Sequence, residues 1–206
     1  MTFGMILLLV LSILVLFGVG QRVLDRLRLH DKAALGMMAA IFIGGLIPPI
    51  PIGNIRIGIG GGLIPLALCI YLLIKAERTV EVVRAIVGAI LTAAAIWVVG
   101  LIMPAEPESI VLDPNYMYGV LAGIIAYVLG KSRRAAFFSA VMGMLLADTA
   151  IQIINWSRGA HTLLRLGTGG ALDAVVISGL IAVLLAEFVG ELIERIARNR
   201  RKERAE

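Results

Sequence analysis

Two stretches decide the fold: Ala135–Trp156, AAFFSAVMGMLLADTAIQIINW, and Gly167–Phe188, GTGGALDAVVISGLIAVLLAEF. Each is about as long as a membrane-crossing helix and almost wholly apolar, yet each holds an aspartate, Asp148 and Asp173. Runs of roughly 20 apolar residues cross a bilayer as helices, because a helix satisfies its own backbone hydrogen bonds. An acid within such a run is costly and usually faces a protein interior or a water-filled cavity.

Working outward, further apolar runs lie at about 3–20, 33–47, 63–74, 85–103 and 116–130, with the last two at 135–154 and 168–188. The chain is 60% hydrophobic, only 16% charged, and its mean hydropathy is +0.97. Soluble domains are nearer half apolar and a quarter charged. The expectation is an all-α membrane protein: about seven transmembrane helices in one polytopic domain over 1–206, with a short basic tail at about 192–206. The bilayer is the expected partner.

The net charge of +5 could suggest nucleic acid, but its placement excludes that class. Of the 19 Lys and Arg, 16 fall in the first, third and fifth connections and the tail. Only Arg56, Arg158 and Arg165 lie in the alternate connections. This positive-inside asymmetry puts the N-terminus outside and the C-terminus in the cytoplasm. The acidic connection with Glu106, Glu108 and Asp113 then falls outside. Residues 1–20 have no basic n-region and no A-x-A-like site, so a retained first helix is expected rather than a signal peptide.

Ile47–Gly62, IPPIPIGNIRIGIGGG, departs from the helical pattern. Pro48, Pro49 and Pro51 stop the second helix. Isoleucines then alternate around Gly53-Asn54, a β-hairpin pattern in an outer loop. Asn54, Ile55, Arg56 and Ile57 could contact an extended substrate there, or the loop could simply cap the bundle. Gly119-x-x-x-Gly123 and the Ser139/Gly143/Ala147 stripe are spaced for close helix packing, and suggest that the fifth and sixth segments touch.

Both aspartates fall five to seven residues from the expected outer ends of their segments, or roughly 8–10 Å deep at 1.5 Å per residue. Asp148, Gln152 and Asn155 share one helical face, a polar stripe that could hydrate the acid. Gly167, Gly169 and Gly170 precede Asp173 and permit close backbone approach. Two such carboxyl groups close together share a proton and can divide base and acid roles on a water. Cys69 is the single cysteine, more suited to packing than to chemistry. His161 is a lone histidine in an outer loop. Glu187 and Glu191 are placed to pair with Arg195 and its neighbours. HExxH, GxSxG and Walker-type motifs are missing from the sequence, and no metal or cofactor is implied.

Residues 135–188, with paired acids on consecutive helices and glycines before the second, resemble the intramembrane aspartyl proteases of the presenilin and signal-peptide-peptidase type. In that family a tyrosine precedes the first acid, where this chain has Ala147. The second acid there closes Gly-x-Gly-Asp, whereas here Ala171 and Leu172 intervene. PIPIGNIRIG, YGVLAGIIAYVLGKSRRAA and GTGGALDAVVISGLIAVLLAE are similar to an uncharacterised bacterial membrane family, domain of unknown function 1614. The first resemblance implies a protease using Asp148 and Asp173 on a transmembrane or extended peptide; the second implies fold and location. A proton- or cation-coupled transporter using the same acids and a non-catalytic scaffold are the alternatives.

Overall fold

A computed structural model describes residues 31–76, 78–102, 114–130, 132–160 and 162–203. The expected first segment at 3–20, the acids Glu106, Glu108 and Asp113, and His161 lie outside these residues. Helix α1 is Asp31–Leu46, strands β1 and β2 are Ile50–Ile52 and Ile55–Ile57, and a π-helical turn covers Ile59–Leu63. Then come α2 Ile64–Ile74, α3 Thr79–Ile102, α4 Pro114–Gly130 and α5 Arg133–Ser157. Strand β3 is Leu164–Leu166, a 3₁₀ turn covers Gly170–Leu172, and α6 is Ala174–Glu203.

Among the described residues, α3 and α5 are long and apolar enough to cross a membrane by length and composition. Shorter apolar helices cover Ile59–Ile74, Tyr116–Gly130 and Ala174–Gly190. The core gathers on α5, whose Phe137, Phe138, Val141 and Met144 are buried with Leu68 and Leu72 of α2, Ala89 and Ile96 of α3, and Val175 of α6. The opposite face of α3 is apolar and bare, with Ile90, Val98 and Ile102 at 56%, 46% and 77% exposure. An apolar exterior of that kind suits lipid, not water.

Small residues let the helices meet. Ser139 and Gly143 of α5 lie against α3, not against α4: Ser139 Oγ donates to Ala85 O at 3.1 Å, and a Cβ on Gly143 would stand 2.7 Å from Thr92. Gly119 and Gly123 of α4 lie against Ile177 and Ile181 of α6. The fifth and sixth segments do pack, as the short connection requires, and Gly130 meets the backbone of Ala136. The spacing identified the small faces and misassigned their partners, since spacing fixes a face of one helix and nothing on the other.

Helix α6 runs on through ELIERIARNRRKE, which holds no glycine or proline and is rich in good helix formers. Glu187 forms its ion pair with Arg133 of α5, both side chains being mostly shielded, at 14% and 22% exposure. The side chain of Glu191 lies outside the described residues.

Candidate functional site

The Ile47–Gly62 segment forms strands, and β1 pairs antiparallel with β2 around Gly53 (φ 58°) and Asn54. The loop after α5 then returns beside the hairpin, and β3 pairs parallel with β2, aligning Ile55 with Leu164, Arg56 with Arg165 and Ile57 with Leu166. The order β1-β2-β3 makes β2 the central strand, with both edges occupied. The expected contact of Asn54–Ile57 with an extended substrate by strand addition is therefore closed on β2; only the outer edges of β1 and β3 remain, and Pro51 removes a donor from β1.

Next to the sheet, three non-helical pieces of backbone pack on one another through glycine. A Cβ on Gly61 would stand 2.4 Å from Gly167 O, 2.6 Å from Gly170 O and 2.9 Å from the Asp173 Cβ. Gly170, at φ 63°, abuts Gly45 of α1. Irregular backbone within an apolar body survives only where other protein covers it, and here the glycine runs cover each other.

That junction sets Asp173. The residue does not lie within a helix, as the apolar pattern implied, but immediately before one: Ile177 N–H donates to Asp173 O, and Asp173 is extended at φ −64°, ψ 145°. Its Oδ1 accepts from Val175 N–H at 3.0 Å and its Oδ2 from Gly169 N–H at 2.9 Å. Asp173 is thus the N-cap of α6, and a helix start needs such an acceptor because its first N–H groups have no partner. The GTGGAL stretch reads as apolar helix by composition, but Gly170 at positive φ breaks it.

Asp148 lies on α5, half-buried, with no hydrogen bond or ion pair among the described residues. The stripe above it is otherwise engaged. Gln152 Nε2 donates to Thr162 O at 2.8 Å and Thr162 Oγ1 at 2.7 Å, and Trp156 Nε1 donates to Thr162 O at 2.8 Å. Gln152 holds the β3 loop instead of hydrating the acid. Asn155 contributes its carbonyl, which accepts from Ala160 N–H at the end of α5.

The two acids meet at a cavity of about 330 Å³, lined by both together with Tyr118, Met144, Arg165 and Thr168. Thr168 and Tyr118 carried no distinguishing sequence signal. Arg165 makes no ion pair with either carboxylate among the described residues. No group of three or more His, Cys, Asp or Glu among these residues could hold a metal. Cys69 is fully buried in the α2 core, where it packs.

A helical body with a bare apolar exterior and an acid-lined cavity defines an integral membrane protein. The chain belongs to a family described as YphA-like integral membrane protein, whose model matches residues 30–206. No curated protein and no solved structure matches the chain. The family supports the expected membrane location; it lends nothing to the likeness to presenilin-type proteases.

Proposed function

We propose that Asp148 and Asp173 act together as a water-activating carboxylate pair, making the chain an intramembrane aspartyl protease. The carrying observation is that two acids 25 positions apart, one on α5 and one capping α6, line the same cavity. In that reaction one carboxylate takes a proton from water while the oxygen adds to a peptide carbonyl carbon, and the other carboxyl gives its proton to the carbonyl oxygen. The chain is read as crossing a bacterial inner membrane seven times, N-terminus outside, with the sheet and cavity toward the outer face. This orientation rests on the distribution of Lys and Arg.

Single substitutions Asp148→Asn and Asp173→Asn in proteoliposomes carrying a single-span reporter test this. The expectation is that wild type cleaves and neither variant does. Cleavage retained in both variants, or absent in wild type, refutes it.

A second function is favoured by Arg165. Two acids and one base around a single cavity also suit a carrier that couples a cation or proton to an anion-bearing solute. In the same vesicles, proton-linked uptake abolished by Asp148→Asn, without reporter cleavage, would select it.

A further inference from the structure

The parallel register of β2 and β3 sets Arg56 directly beside Arg165. Paired Cα atoms on neighbouring strands lie about 4.8 Å apart, and aligned residues point to the same face. Both arginines are exposed, while Ile55, Ile57, Leu164 and Leu166 around them are buried or half-buried. The outward face of the sheet therefore reads Pro51, Arg56, Arg165 across its three strands. Like charges in direct register destabilise a sheet, and more so beside apolar surface, where the effective dielectric is low. Leu163, adjoining β3, supplies such surface at 39% exposure, whereas Ile50 and Ile52 pair with Ile57 and Ile55 on the other face of the sheet.

Neither guanidinium has a hydrogen bond or ion pair among the described residues. Asp173 and Asp148, which line the same cavity as Arg165, form no ion pair with it among the described residues. Two guanidinium forks side by side on the exposed face of a sheet in an integral membrane protein match the chemistry of a phosphate: several anionic oxygens, each able to take an N–H fork.

We propose that Arg56 and Arg165 together clamp the phosphate of an anionic lipid headgroup, at the rim of the acid-lined cavity that Arg165 also borders. The site is independent of any chemistry at Asp148 and Asp173. Its ligand class is a phosphate-bearing anion, available as the phosphodiester of a lipid headgroup or as free phosphate from solution. The integral membrane family of the chain and exposed Leu163 beside the pair favour lipid.

The test uses the full chain in detergent, titrated with phosphatidylglycerol or phosphatidylcholine and read by native mass spectrometry. Wild type should bind phosphatidylglycerol about tenfold more tightly than phosphatidylcholine, whose phosphate carries a compensating ammonium that the two guanidiniums repel. Arg56→Gln and Arg165→Gln should each remove most of that preference, and Arg56→Lys should remove part of it. Arg158→Gln, an exposed arginine off the sheet, should leave the preference intact. Equal binding of the two lipids, an unchanged preference in both sheet variants, or an equal loss in Arg158→Gln would overturn the proposal. Excess inorganic phosphate separates the sources: failure to displace the lipid supports a headgroup site, and full displacement at low phosphate overturns the lipid assignment.

Discussion

Asp173→Ala and Asp148→Asn should have opposite effects on stability, because the two acids stand in different surroundings. Asp173 caps α6 through Val175 N–H at 3.0 Å and ties the glycine turn through Gly169 N–H at 2.9 Å. Losing an N-cap acceptor costs about 0.5–2 kcal/mol. A second bond to a charged acceptor is worth about 1.5–3 kcal/mol when buried, but Gly169 is exposed and water can replace most of that. Asp173→Ala should therefore cost about 2 kcal/mol. Asp173→Asn keeps one accepting oxygen and should cost about 1 kcal/mol. Asp148 has no bond to lose among the described residues, and its half-buried side chain lines the cavity beside Met144 and Ile151 as well as polar groups. Asp148→Asn should be neutral or stabilising, since an unpaired charge is removed from a poorly solvating site. Equilibrium unfolding of the purified chain in mixed micelles with added SDS measures all three. The reasoning fails if Asp173→Ala stays within about 0.5 kcal/mol of wild type, or if Asp148→Asn is the more damaging change.

Other changes follow from the same contacts. Gly61→Ala would drive a Cβ into the carbonyls of Gly167 and Gly170, so it should abolish a monodisperse peak in size-exclusion chromatography. Gly53→Ala has open space and only its φ of 58° to bear, and should run as wild type with a loss of about 1 kcal/mol in SDS unfolding. Ser139→Ala removes a buried bond to Ala85 O and should cost about 1 kcal/mol in the same assay. Glu187→Gln should strand the shielded guanidinium of Arg133, costing about 2 kcal/mol, discounted from the value for a fully buried pair because both groups retain some exposure. Restoring stability with Arg133→Met in the Glu187→Gln background would show that the lost pairing, not lost packing, set the cost.

The helices were legible because their cause is local. Continuous apolar runs bounded by Pro48, Pro49 and the KSRR connection leave few alternatives: α1, α2, α4 and α5 fall within three residues of those runs, while α3 starts six residues early and α6 starts six late and runs 15 further. The β1–β2 pair was equally local, since alternation around Gly53-Asn54 needs only its own residues. Strand β3 was not legible: Leu164–Leu166 is three residues long and becomes a strand only because β2 offers it an edge. Asp173 was read as a helix-interior acid because composition cannot see Gly170 turn to positive φ. Its role as a cap follows from that turn. Gln152 was misjudged for a related reason: its partner, Thr162, is placed by the way the loop after α5 folds back, as is Arg165 at the cavity.

The central claim is that Asp148 and Asp173 face one another across a single cavity. Cysteines at both positions, in a Cys69→Ser background, report this directly in native membranes when treated with the shortest bis-thiosulfonate linker and read by protease cleavage engineered into the β3 loop. The account predicts that the two fragments stay joined in the double-cysteine chain, and separate in each single-cysteine control. Fragments that separate fully in the double-cysteine chain, with both thiols shown to be reactive, would contradict a shared site.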